Sequence, residues 1–380
     1  MTGDFTTLPD LACRSLGGGV VATNDELFAA ADNLVNDDPP SFEPHTFGPK
    51  GQVYDGWETR RRRTPGHDFA VVRLGAPGVV RGVVVDTTHF TGNYPPYASV
   101  EGCGVAGYPA PEELAGVDWV TLVPRSSLRG DARNPFPVEV EQRLTHVRLS
   151  IYPDGGVARL RVHGEVVPDP RLLAAGPVDL AAMEHGGQVV GCSNMFYGSP
   201  QNLLRPGLAR SMGEGWETAR RRDEGNDWVV VRLAVPGRVS LVELDLSHFK
   251  GNAPGWAQLR VLDTRAGAPA DLAGSPAWVS LLPRTRLQPD TRHRFRIADA
   301  PTATHVRLDA YPDGGAARLR LHGVPAEPDR LLLRWFNLLP PAQARAVLAA
   351  DGGLDATAAD RLVAARPIDD VAALPAQIRD

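Results

Sequence analysis

Thr145–Gly164 reads THVRLSIYPDGGVARLRVHG, and Thr304–Gly323 reads THVRLDAYPDGGAARLRLHG. In the first stretch Val147, Leu149 and Ile151 alternate with His146, Arg148 and Ser150. A period of two sends the apolar set to one face of a β-strand and the polar set to the other. PDGG then supplies turn residues, with glycine for backbone angles that other residues avoid. ARLRVHG resumes the strand pattern at once, which predicts a hairpin.

The likeness extends upstream. A shift of 159 aligns Gly56–Gly164 with Gly215–Gly323 without a gap, with 49 identities in 109 positions. Further back, VVATNDELFAAADNLV from Val20 matches VVGCSNMFYGSPQNLL from Val189 at a shift of 169, so the first copy holds a ten-residue insertion within NDDPPSFEPHTFGPKGQVYD. Two long copies mean duplicated domains, since a solenoid needs more and shorter repeats. Within each copy, DFAVVRL and DWVVVRL are β-branched runs stopped by GAPG and AVPG; RGVVVDTTHF and SLVELDLSHF follow, then WVTLVPR and WVSLLPR. Many short strands with turn signals predict antiparallel sandwiches. The expectation is an all-β chain of two tandem jelly-roll (galactose-binding-like) antiparallel β-sandwiches, residues 1–170 and 180–328, joined by the proline-punctuated segment Pro168–Leu180. Helix is expected only in short pieces such as Asp25–Leu34, capped by Asp25, and in a helical C-terminal tail over 329–380. There prolines precede and glycines follow NLLPPAQARAVLAADGG.

Bulk properties narrow the function. The formal net charge of −5 over 380 residues argues against a general nucleic-acid binder. No run approaches the 18 or so apolar residues of a membrane span, and the first residues lack the basic and apolar regions of a secretory signal. Cys13, Cys103 and Cys192 are odd in number and lack a CxxC pair, which fits a reducing compartment and gives no zinc signature. A soluble cytoplasmic protein, with neither nucleic acid nor membrane as partner, is the expectation.

The repeat also sorts the polar residues. Trp57/Trp216, Trp119/Trp278 and the PDGG turns read as structural, as do the strand histidines His146/His305 and His163/His322. A charged loop is harder to dismiss: Glu58, Arg61 and Arg62 in GWETRRRR recur as Glu217, Arg220 and Arg221 in GWETARRR. Asp86, His89 and Asn93 recur as Asp245, His248 and Asn252, at the end of a strand entering a turn. An Asp three residues before a His can orient an imidazole and raise its basicity. Arginine is the natural clamp for a carboxylate, because parallel N–H bonds match its two oxygens. The competing reading of these arginines is a solvated loop ion-paired to Asp55, Glu58 and Asp68. Glu101 and Cys103 occur only in the first copy, where the second has Arg260 and Leu262; that asymmetry suggests one competent site and one degraded or supporting copy. Cys103, with no base beside it, reads as a small buried hydrophobe. Asp86, His89 and Glu101 could form a metal set, but no HxH or HxxxH pattern demands one, and neither metal nor cofactor is expected.

The combination DGWETRRRR, HDFAVVRLG and VDTTHFTGNYPPYASVEGC, with LACRSLGGGVVATNDELFAAADNLV before it and the second GEGWETARRR, NDWVVVRL and LDLSHFKGNAP, resembles the allantoicase (allantoate amidinohydrolase) family over about residues 10–325. The resemblance implies two jelly-roll modules, a homo-oligomer, and hydrolysis of allantoate to ureidoglycolate and urea. The second copy departs from it in LDLSHF and in lacking EGC. In the roles this suggests, Arg61 and Arg62 take the substrate carboxylate. His89 oriented by Asp86 moves protons, with Glu58 as the alternative acid or base. Asn93 binds a ureido group, and Glu101, Glu217, Arg220, Arg221, Asp245, His248 and Asn252 complete the substrate-binding set. A tandem carbohydrate or small-ligand-binding module, or a hydrolase of a related ureido compound, is the alternative. The tail, FNLLPPAQARAVLAA with AARPIDDVAAL, also resembles the start of the ureidoimidazoline decarboxylase family, over a stretch too short to include that family's active site.

Overall fold

The computed structural model describes residues 4–379. Two compact units divide the chain: one holds the residues up to Val167 together with those from Leu333 onward, the other Pro168–Leu332. In the first unit the longer strands are β1 Gly19–Thr23, β2 Asp68–Asp86, β3 Tyr97–Cys103, β4 Val120–Ser127, β5 Arg133–Pro137, β6 Arg143–Tyr152 and β7 Arg159–Val166. In the second they are β8 Gln188–Cys192, β9 Asp227–Asp245, β10 Trp256–Leu262, β11 Val279–Arg286, β12 Arg292–Arg296, β13 Ala303–Tyr311 and β14 Arg318–Pro325. All pairings between them are antiparallel.

One strand organises each sandwich. The stretch expected as two strands around GAPG is a single 19-residue β2. Its first half pairs with β1 and β6, and its second half with β5 and β7; the register shifts between Arg73 and Gly78. Glycine and proline bend the chain there instead of stopping it, so one strand passes from one layer to the other. At Gly75 the bend lies so close to Leu16 O and Gly18 N that a Cβ would sit 2.4–2.5 Å from them. The order is β1-β2-β6-β3-β4 in one layer, with β5 and β7 flanking the second half of β2. β9 does the same in the second unit, with β8, β13, β10 and β11 in one layer and β12 and β14 in the other. Jelly-roll sandwiches follow in both repeats, as expected.

The alternation holds: Val147, Leu149 and Ile151 are fully buried. The hairpin does not form. β6 pairs with β2 and β3, whereas β7 pairs with the far half of β2, so PDGG carries the chain between layers. What the turn pairs with instead is the GWET phrase: Gly156 and Val157 lie opposite Glu58 and Trp57. Likewise the helix expected over Asp25–Leu34 is only a 3₁₀ turn at Ala31–Val35; Asp25 Oδ1 accepts from the backbone N–H of Leu27 and Arg60.

The tail forms helices Pro328–Leu338, Pro341–Ala350 and Ala356–Ala364 around buried Trp335, Phe336, Leu348 and Ile378. From Leu333 onward it packs with the first sandwich. At Gly104, just after β3, an added Cβ would stand 2.6 Å from Pro340 and 2.7 Å from Gln343, and Arg334 donates to Glu165 at 3.2 Å. No described helix is long and apolar enough to cross a membrane.

Candidate functional site

The paired GWET and PDGG segments build the floor of a site at one end of the first sandwich. Trp57 is wholly buried and its indole N–H donates to Asp25 O at 2.8 Å, which anchors the phrase. Thr59 Oγ1 accepts from the backbone N–H of Gly155 at 3.1 Å, and the carboxylate of Asp154 accepts from the backbone N–H of Arg62 at 2.9 Å. Gly155 holds φ 144°, a left-handed conformation only glycine takes without strain. Gly156 is pressed on the Phe90 ring, which a Cβ would meet at 2.0 Å, and its N–H donates to Asn93 O at 2.7 Å.

From this floor Glu58 faces upward and is met by Asn93. The Asn93 amide donates to Glu58 Oε1 at 2.7 Å. Burial pushes the Glu58 carboxyl above its ordinary range, and the Asn93 bond pulls partly against it. A half-buried carboxyl poised in this way is suited to proton transfer nearer neutral pH than an exposed one. Glu58 and Asn93 line a cavity of about 510 Å³ with Arg61, Arg62, Tyr94 and Asp154. Arg61 is exposed and has no hydrogen-bond or ion-pair partner among the described residues. Its neighbour is spoken for: Arg62 Nη1 binds the buried Asp68 at 2.5 Å. For Arg62 the ion-paired reading is the structural fact, while Arg61 has no such pair among the described residues.

Asp86 and His89 are not brought together. Asp86 Oδ1 accepts from the backbone N–H and hydroxyl of Thr88, closing the turn. His89 takes φ 70°, its backbone N–H donates to Asp131, and its ring Nε2 lies 3.3 Å from Pro40 O, stacked on Phe42. Its left-handed turn sends Phe90 into the core and returns the chain so that Asn93 reaches Glu58. Glu101 is also elsewhere: its Oε2 accepts from Arg148 Nε and Nη2, and that guanidinium lies over the Trp119 ring. Asp86, His89 and Glu101 therefore do not gather as a metal set. Among the described residues no group of three or more His, Cys, Asp or Glu is arranged to hold an ion. Cys103 is buried, its thiol pushed up to about 12, as befits a core residue.

The second repeat reproduces the constellation. Asn252 donates to Glu217 Oε1 at 2.6 Å, Arg221 binds buried Asp227 at 2.8 Å, and Arg220 is exposed without a partner among the described residues. Asp245 closes its turn on Ser247, and His248 at φ 74° points Nε2 at Ala209 O. The surroundings differ: Ala253 and Gly255 stand where the first repeat has Tyr94 and Pro96. Asp154 and its partner Asp313, which fix the arginine loops through backbone N–H groups, escaped the sequence reading. Their identity in both copies was the available signal, absorbed there into the turn.

The family model described as Allantoicase repeat matches residues 9–167 and 178–326. Among curated relatives, a probable allantoicase of Nocardia farcinica is 60% identical over 322 residues, 84% of this chain and 95% of that protein. One of Streptomyces coelicolor is 53% identical over 84% of this chain and 86% of its own. The crystal structure of allantoicase from Saccharomyces cerevisiae is 32% identical, with a TM-score of 0.70, covering 83% of this chain and 92% of that one. The tail from residue 327 onward lies outside the matched repeats.

Proposed function

The chain belongs to the allantoicase family, and from that premise we propose that it hydrolyses allantoate to ureidoglycolate and urea with Glu58 as the proton carrier. Allantoate carries one carboxylate and two ureido groups on a single carbon. Exchanging one urea for water needs a base for the water, a proton for the departing nitrogen and a clamp for the carboxylate. Glu58 fills the first two needs in turn: ionised, it takes a proton from water as the C–O bond forms, and it returns that proton to the nitrogen as the C–N bond breaks. Asn93 holds Oε1 and leaves Oε2 for the reacting groups. Arg61 clamps the carboxylate. Asp154, which lines the same cavity, accepts from ureido N–H groups. His89, held on Pro40 O, positions the loop rather than carrying protons.

The observation that supports this reading is the Glu58–Asn93 pair sharing one cavity with the unpartnered Arg61. A homo-oligomer in the cytoplasm belongs to the same proposal, supported by the family likeness and by the three free thiols. The test is urea release by the purified chain from allantoate, with and without added divalent metal. Urea from allantoate and none from allantoin, whose closed ring withholds the carboxylate, is the expected result. No urea from well-folded protein would turn the reading toward a binding module.

A further inference from the structure

The outer face of the layer formed by β12, the second half of β9 and β14 carries a charge pattern for which the proposed hydrolysis has no use. Register sets three rows across it. Asp245 lies between Arg292 and Arg318, Glu243 between Arg294 and Arg320, and Leu241 between Arg296 and His322. A cavity of about 480 Å³ is lined by Arg292, Arg294, Arg318 and Arg320 with Leu208, and Arg296 follows along β12 beyond that lining. Arg318 and Arg320 are held in place mainly by backbone carbonyls, of Glu214 and Gly207 among others. Carbonyls fix a guanidinium without cancelling its charge. Burial and the neighbouring Arg320 push Arg318 down to about 10.

Carboxylates within reach offset part of this field. Glu243 accepts from Arg292 and Arg294, and Asp245, Asp179 and Glu214 stand 3.6–4.0 Å from Arg292, Arg320 and Arg318. The excess is at the solvent edge. Arg296 has no partner among the described residues, and Arg294 uses only Nε.

The equivalent face of the first repeat is built to the opposite end. Pro135 and Pro137 replace Arg294 and Arg296, and Val84 and Gly82 replace Glu243 and Leu241. The segment Asp4–Leu8 lies along that face and lines a cavity of about 930 Å³ there, with Phe5 so close to Gly82 that a Cβ there would meet its ring at 2.3 Å. Glu139, Glu141 and Glu165 line it, where the second repeat has Ala298, Ala300 and Val324. One face is partly filled by Phe5 and edged by acids; its copy is edged by arginines.

We propose that the arginine-edged face of the second repeat is a binding site for a compact multivalent oxyanion, a phosphate or a polycarboxylate, received by Arg294 and Arg296 at the solvent edge with Arg292 and Arg320 behind. Planar guanidinium forks suit either oxyanion. The test is isothermal titration of the full chain with inorganic phosphate and, separately, with citrate, against sodium chloride at matched ionic strength, because simple screening would act equally in all three. Saturable binding of phosphate or citrate beyond chloride is expected, and which of them binds assigns the ligand. The double variant Arg294→Ala/Arg296→Ala changes exposed side chains and should fold normally by circular dichroism. It should weaken binding by at least about tenfold, the loss of charge-assisted contacts. Arg133→Ala, at the place in the first repeat that matches Arg292, should leave binding unchanged. Responses equal to chloride, or binding untouched by the double variant, would overturn the site.

Discussion

The two repeats keep one loop frame and neutralise charge around it by different means. In the first, Glu101 on β3 meets Arg148 on β6; in the second, position 101 has become Arg260, and both Arg260 and Arg307 turn to Asp309, where the first repeat has Ser150. The charge crosses from one strand to its neighbour and the ion pairing survives. Meanwhile Glu58 with Asn93, and Glu217 with Asn252, hold the same bond to within 0.1 Å, from 2.7 to 2.6 Å. What is fixed between copies is the carboxylate–amide pair and its floor; what drifts is the strand face away from it. The difference that touches the site is its wall, Tyr94 and Pro96 in one repeat against Ala253 and Gly255 in the other.

The sharpest way to break that comparison is to remove the same carboxylate from each copy. Glu58→Gln keeps the shape and the Asn93 contact but cannot take a proton, and turnover should fall by about 10²–10⁴-fold. Glu217→Gln, in the repeat without the Tyr94 wall, should leave most of the turnover. Equal inactivity of the two folded variants would take turnover away from the first repeat alone. A pH profile adds a signature. Because burial raises the Glu58 pKa and the base must be ionised, kcat/KM should fall on the acid side through a pKa above the usual 4.5. That limb should vanish in Glu58→Gln.

Much of this frame was legible in the sequence, and the failures have physical causes. Alternation at Val147–Ile151 and the duplicated phrase gave the sandwiches, because burial of one strand face leaves a period that survives without any partner being known. The partner of a turn leaves no such period. PDGG looked like a hairpin because its composition reports backbone angles and not which strand comes next, so its pairing with GWET was invisible. In the candidate site, the sequence singles out the loop but not which of its arginines is ion-paired. Arg61 and Arg62 are adjacent and identical in type, and only the buried Asp68 beneath Arg62 distinguishes the ion-paired arginine from its neighbour. Asp86 and His89 were joined by spacing alone, whereas Thr88 lies closer to the carboxylate and takes its bond.

The next largest effect belongs to stability and to the second repeat. Asp309 is fully buried and accepts from Arg260, Arg307 and Asn226. Asp309→Asn leaves two guanidiniums facing each other with no anion, and breaking a buried ionic group in this way costs about 3–5 kcal/mol. Urea denaturation should show it as a lower midpoint at unchanged slope. A cost near zero would mean that water reaches both arginines, and that the second repeat neutralises charge no more deeply than the first.

Arg61→Ala against Arg62→Ala then separates binding from folding within one loop. Loss of the clamp should cost about 1.5–3 kcal/mol in substrate binding, read as a higher KM with the melting temperature unchanged. Arg62→Ala strips the buried Asp68 of its cation, although the Asn24 amide still donates to it at 3.0 Å, so its first effect should be a lower melting temperature. Arg220→Ala and Arg221→Ala repeat the pair in the second copy. If Arg61→Ala lowers stability and leaves KM alone, the exposed guanidinium is part of the frame.

The smallest effect tests the residue that first made the copies look unequal. Glu101 is particular to the first repeat, and its sequence context suggested a catalytic difference. In the fold its carboxylate is committed to Arg148, whose guanidinium is also braced by Trp119 at 4.6 Å. Both partners are partly open to solvent, at 28% and 30%, so the ion pair is screened and Glu101→Gln should cost at most about 1 kcal/mol of stability. Glutamine can still accept one bond from Arg148, and the Trp119 contact survives, which keeps the guanidinium where it is. Turnover and KM for allantoate should therefore match the parent, because Glu101 does not line the cavity that holds Glu58 and Arg61. Parallel assays of Glu101→Gln and Glu58→Gln under identical conditions make the comparison direct. A turnover loss in Glu101→Gln approaching that of Glu58→Gln, with the fold intact, would move the reacting centre from the loop end of the sandwich to the face of β3 and β6.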